Sequence, residues 1–198
     1  MSAREEMLGR VRRALGSRKQ SSPPAVYLRE TVNSAEDLAA QFRNALTALG
    51  GSVIEAADPA EARHLLAPTL RGIRVAASGA PLVRACGFEP DFSRDSCAAA
   101  EVGITSADFA LADTGTLVFM TEPRLVSLLP PKHVAIIDRA KIISGLDELF
   151  RRVPLAADVA SSMVLITGPS RTADIEMRLV RGVHGPGEIL VLIVSSVT

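Results

Sequence analysis

At 198 residues the chain is long enough for one domain with a modest appendage, and it needs neither disulfides nor a metal to bury a core. Apolar residues make up 47% and charged residues 22%, with 22 Lys+Arg against 22 Asp+Glu; this excludes a disordered chain and a nucleic-acid binder that relies on a whole-domain positive field. The longest apolar run, Ile189 to Val194, is far below the roughly 18 residues that cross a bilayer, and the N-terminal arginines lead into no apolar signal-type stretch. The expectation is a cytoplasmic protein without a transmembrane segment.

From Arg4 to Leu15, Met7, Leu8, Val11, Ala14 and Leu15 recur at helical spacing and Gly16 is placed to stop the turn, which predicts a short amphipathic helix over residues 1–16. Residues 17–31, polar at first and containing Pro23-Pro24, read as a linker, and an α/β domain is expected over 32–198. Ser34 is placed as an N-cap, with Leu38, Phe42, Ala45, Leu46 and Leu49 forming the buried stripe of a helix that ends at Gly50-Gly51. A strand at Ser52 to Glu55, a helix from Asp58-Pro59 through Leu66 and a strand at Ile73 to Ala77 follow, the alternation of a parallel sheet.

Between Cys86 and Val102 periodicity fades into a loop or short helices. Ala107 to Ala112 and Thr116 to Met120 then read as a hairpin, with Asp113-Thr114-Gly115 as its turn. The remaining elements are a strand at His133 to Ile137, a helix at Leu146 to Arg152, a strand at Met163 to Thr167, a helix from Ala173 to Arg181 with Ile175, Leu179 and Val180 inward, and a strand at Glu188 to Val194.

Three constellations could carry chemistry. In the first, Ser170, Arg171 and Thr172 open the expected Ala173 helix, where free N–H groups, hydroxyls and a guanidinium suit a carboxylate or phosphate; equally, Thr172 is an ordinary N-cap and Asp174 and Glu176 complement the helix dipole. Without a P-loop or Rossmann fingerprint, spacing alone favours capping. In the second, Asp108 and Asp113 sit among small apolar residues, either as acids, bases or hydroxyl anchors beside Thr114, Gly115 and Thr116, or, for Asp113, as a turn residue bonding its own backbone.

The third is the set of histidines, His64, His133 and His184, which has no i, i+4 metal spacing. A continuous Ala173 to Arg181 helix carries the chain about 13 Å, placing His184 at the opposite sheet edge from Ser170. Cys86 and Cys97, ten residues apart, match no metal, redox or cluster pattern and are expected to be buried, reduced thiols; no cofactor is expected in this chain. The basic run Arg10, Arg12, Arg13, Arg18 and Lys19 either meets an acidic partner or is a solvated face, and Glu5 and Glu6 dilute it.

Taken together, Gly103-Ile104-Thr105, the run Ala107 to Val118 with its Asp113-Thr114-Gly115-Thr116, Leu129-Pro130-Pro131-Lys132-His133-Val134, and Gly168-Pro169-Ser170-Arg171-Thr172-Ala173-Asp174-Ile175-Glu176 before Gly182-Val183-His184-Gly185-Pro186 resemble the LUD-domain family, in its lactate utilization protein C branch. The resemblance spans most of the chain. It implies a three-layer α/β/α domain with a mostly parallel central sheet and one antiparallel hairpin, similar to the sugar-phosphate isomerase, CoA-transferase and folate cyclo-ligase group. It also implies a role in oxidising L-lactate to pyruvate with two sister proteins, one carrying iron-sulfur clusters and one cysteine-rich.

The resemblance supplies no catalytic mechanism. Asp113, Asp108 and His133 stand as candidate catalytic residues, and Thr114, Gly115, Thr116, Ser170, Arg171 and Thr172 as candidate ligands of a small anion, with no metal. Two other classes stay open: a stand-alone enzyme acting on a phosphorylated or acyl small molecule, and a non-catalytic assembly or regulatory module.

Overall fold

The computed structural model describes residues 3–16, 35–153, 162–173 and 179–195. The chain forms two compact units, Met1–Glu30 and Thr31–Thr198. In the first, helix α1 (Ala3–Leu15) carries Glu5 and Glu6 in its first turn and Arg12 and Arg13 in its last, both favourable to the helix dipole. An i, i+4 pair joins Arg10 to Glu6 at 2.7 Å. The expected linker lies outside the described residues except for its flanking Gly16.

The second unit is built on a sheet of five strands, all parallel. In chain order they are β1 (Ser52–Ala56), β2 (Val75–Ala77), β3 (Val102–Ser106), β6 (Lys132–Asp138) and β11 (Glu188–Val194). In space they run β1-β11-β6-β3-β2. Parallel strands covered on both faces read as continuous apolar runs, which is why Ile189 to Val194 are all buried.

One face packs Val134, Ile136, Leu190, Leu192 and Val194 against Ala62 and Leu66 of α3 (Pro59–Leu70) and Val83 of α4 (Pro81–Ala85). Helix α3 starts as its sequence requires, with Pro59 in the first turn and the Asp58 carboxylate accepting the Glu61 N–H at 2.8 Å.

The other face packs Ala135, Ile137, Val191 and Ile193 against Phe42 and Leu46 of α2 (Ala35–Ala48) and against a second, smaller sheet. That sheet contains the expected hairpin, β4 (Phe109–Leu111) and β5 (Thr116–Phe119), flanked by β7 (Ile142–Ile143) and β8 (Val164–Ile166) in the order β7-β4-β5-β8. At the hairpin turn Gly115 has φ 66°, and a Cβ there would come within 2.5 Å of the Leu46 nitrogen, so glycine lets the turn lie on the backbone of α2. Farther along the same face, α5 (Arg94–Ala99) and α6 (Arg124–Leu128) cover Ala76 with Cys97 and Val126. Helix α7 (Leu146–Arg152) buries Leu149 against Leu111, Val118 and Ile143.

The helix expected from Ala173 to Arg181 does not form. Instead β9 (Arg171–Ala173) pairs antiparallel with β10 (Leu179–Arg181), so the chain reverses where a helix would have carried it onward. Residues 174–178 lie outside the described set. The free helix N-terminus expected at Ser170 to Thr172 therefore does not exist: the Ser170 N–H donates to the Pro186 carbonyl at 2.8 Å, and the Gly182 N–H donates to the Ser170 carbonyl at 3.1 Å.

Candidate functional site

The reversal has a chemical consequence. It returns the chain to its starting point, so the loop after β10 lies beside Ser170, and His184 and Ser170 line the same cavity. The sequence reading that separated them rested on the helix and falls with it.

This cavity, about 260 Å³, opens at the amino edge of β6 and β11. Its walls are Arg124, Ser127 and Leu128 of α6, the whole of β8, the loop Thr167 to Ser170, the loop His184 to Pro186, and His133 and Ile189 from the first turns of the two parallel strands. Glu188 and Lys132 pair beside it at 3.4 Å, and the Gly187 N–H donates to the Pro131 carbonyl at 3.0 Å, which fixes the edge.

His133 is the second residue of β6, after Pro130-Pro131-Lys132, and points to the face shared with Ala135 and Ile137, where register places it between Gly103 of β3 and Ile189 of β11. It is 1% exposed. Its Nε2 is 2.8 Å from the Thr105 hydroxyl, its ring lies 5.7 Å from that of Phe119, and its Nδ1 is buried without a partner among the described residues. Burial pushes its pKa down to about 4, so the imidazole is neutral at physiological pH.

Asp113, Thr114, Gly115 and Thr116 stand outside the lining and behind it. Asp113 is exposed, its N–H donating to the Ser144 carbonyl at 3.1 Å and its carboxylate accepting the Thr114 hydroxyl at 3.1 Å. Hydroxyl contacts then run from Thr114 to Thr116 (2.8 Å) and from Thr116 to Thr167 (2.9 Å), so the Thr-Gly-Thr turn braces the loop that walls the cavity. Arg171 turns away: its guanidinium donates to the Leu49 carbonyl at the end of α2. The Thr172 side chain lies outside the described set.

Asp108 sits at the other, carboxyl edge of the sheet, where its carboxylate accepts the Met120 N–H at 2.7 Å and the Thr121 hydroxyl at 3.3 Å. Beside it, burial raises the pKa of Glu122, the Ser78 hydroxyl lowers it in part, and the Asp108 charge raises it further. Sequence reasoning missed Glu122, Thr105, Arg124 and Ser127. Only Thr105 had carried a signal, as part of the Gly103-Ile104-Thr105 motif.

Among the described residues no group of three or more His, Cys, Asp or Glu could hold a metal ion. The two cysteines lie in different apolar clusters, Cys86 with Val83 and Phe88 and Cys97 with Ala76 and Val126. Burial pushes the Cys86 thiol up to about 11 and raises that of Cys97, which favours the protonated thiol at both. Among the described residues no helix is long and apolar enough to cross a membrane.

Comparison with known proteins places these features. The LUD domain profile matches residues 86–194, which include every wall of the cavity. A lactate utilization protein C of Exiguobacterium is 30% identical over 96% of this chain and 95% of its own length. The protein of that name from Bacillus subtilis is 40% identical over 48% of this chain and 43% of its own. A crystal structure of a DUF162-family protein from Deinococcus radiodurans superposes with a TM-score of 0.63 at 20% identity, covering 82% of this chain and 99% of that one, and so shares the fold. With the family profile covering more than half the chain and a relative aligned along nearly all of it, this chain belongs to the LUD-domain family.

Proposed function

We propose that the chain serves lactate utilization as the cluster-free subunit of a system that oxidises L-lactate to pyruvate, acting with an iron-sulfur and a cysteine-rich sister protein. The observation that carries this reading is the similarity to a lactate utilization protein C along 96% of the chain. Its chemistry agrees with the division of labour. Converting the hydroxy acid to the oxo acid releases two electrons and two protons, and the electrons need an acceptor; two buried thiols in separate apolar clusters are unsuited to hold an iron-sulfur cluster, so an acceptor of that kind belongs to the sisters.

Reconstitution tests the reading. Purified alone, the chain is expected to contain no stoichiometric iron or sulfide and to reduce no dye with L-lactate; mixed with both sisters it should restore lactate-dependent dye reduction. Full activity of the sisters without this chain would overturn the proposal.

A further inference from the structure

We infer that the amino-edge cavity binds a small carboxylic acid with an oxygen on the adjacent carbon, as hydroxy acid or oxo acid alike, its carboxylate towards Arg124 and His184 and its second oxygen on Nδ1 of His133. This names the ligand class of the lactate-utilization reading and rests on it.

The charge of the lining selects an anion. Arg124 has no ion pair among the described residues, His184 adds a ring donor and Ser170 a hydroxyl, the Ser127 hydroxyl donates to the Arg124 carbonyl at 3.1 Å, and none of the described carboxylates lines the cavity. Its size selects a small ligand, since about 260 Å³ is below the range of sites for drug-sized molecules. Val164, Ile166 and Ile189 offer an apolar wall to a short alkyl group.

His133 then selects the second oxygen. A buried ring nitrogen without a partner is costly to leave unmet, and here the ring lines a cavity. Its other nitrogen faces a hydroxyl, which can donate or accept. If Thr105 donates to Nε2, Nδ1 carries the proton and donates to a carbonyl. If Nε2 donates to Thr105, Nδ1 presents a lone pair and accepts from a hydroxyl. Both states are neutral, so burial does not favour either, and one side chain can receive the reduced and the oxidised form of the same acid.

The experiment is a titration of the full chain, with 15N-labelled histidine, by L-lactate, pyruvate, acetate and inorganic phosphate. L-Lactate and pyruvate should each shift the His133 nitrogens saturably, with Nδ1 protonated in the pyruvate complex and unprotonated in the L-lactate complex. Acetate, lacking the second oxygen, should bind more weakly. Arg124→Gln should weaken both acids about tenfold or more.

Gly185→Ala should weaken them too, because a Cβ there meets the Ser170 Cβ at 3.6 Å and its Oγ at 3.8 Å, narrowing the cavity at van der Waals distance without backbone strain. A folded chain with no saturable change up to about 10 mM, above ordinary substrate affinities, would overturn the inference. So would tighter binding of phosphate than of either acid, or unchanged binding in Arg124→Gln. If His133 stays silent while the sisters still require this chain, the ligand assignment alone fails. If His133 responds while the sisters are fully active without it, the functional reading alone fails.

Discussion

Gly103 lies directly beneath the Val126 carbonyl: a Cβ on this residue would stand 1.9 Å from that oxygen and 3.1 Å from the Pro130 ring. The contact seats α6, and with it Arg124, Ser127 and Leu128, on the edge of the parallel sheet. Because the obstructing atom belongs to the backbone, no rotamer change relieves it. Gly103→Ala is expected to lower unfolding free energy by about 3 kcal/mol or more, read from the urea midpoint, and to weaken L-lactate binding because the helix bearing Arg124 must move.

His133 should make the protein sensitive to acid. Its pKa is about 4 in the folded chain and 6.5 in the reference state, so below pH 6.5 the unfolded chain takes up the proton first and stability falls until about pH 4. The share of this one group is about 3 kcal/mol over that window. In urea titrations at pH 7.5, 6 and 5, His133→Gln should lose distinctly less stability on acidification than the wild type.

Glu122 should behave with the opposite sign. A carboxyl whose pKa is raised by burial favours its protonated form in the fold, so its contribution to stability falls as pH rises through the ordinary carboxylate range. Glu122→Gln is expected to raise Tm by roughly 1 to 3 °C at pH 7, with the gain shrinking as the pH falls towards 4.5 and absent below it.

Arg171 and Asp113 should be separable from ligand binding. Arg171 ties β9 to the Leu49 carbonyl and Asp113 sits in the hairpin turn. Arg171→Ala is expected to cost about 1 kcal/mol in thermal unfolding, and Asp113→Asn less, with the His133 titration unchanged in both.

Long apolar patterns made most of the fold legible. Phe42 and Leu46 mark the inner stripe of α2, Ile189 to Val194 the buried β11, and Asp113-Thr114-Gly115 the hairpin turn. Strand β3 was harder to see because Val102-Gly103-Ile104-Thr105-Ser106 interleaves glycine and hydroxyls with its two aliphatic residues, although all five are buried. The Ala173 to Arg181 helix was misread because Ile175, Leu179 and Val180 give only one helical repeat, too short a stretch to tell a helix from a hairpin. That error hid the cavity as well, since Ser170 meets His184 only through the β9-β10 reversal. The Thr105 and His133 pair, 28 residues apart, is set by the β3-β6 register, which no local pattern encodes.

Strand β11 lies between β1 and β6, so the two halves of the central sheet meet only through residues 188–194. During synthesis, β1 to β3 and β6 are all made before the strand that joins them. Until it arrives, β1 lacks its only partner among the described strands of that sheet, and the apolar faces of β1 and β6 stay open to water and to other unfinished chains. Ile189 belongs to this late segment, so the ligand cavity is completed in the same step as the core. A ribosome-bound chain stalled before Glu188 should therefore depend on chaperones and be unable to bind the acid, and release of the strand should relieve both conditions at once.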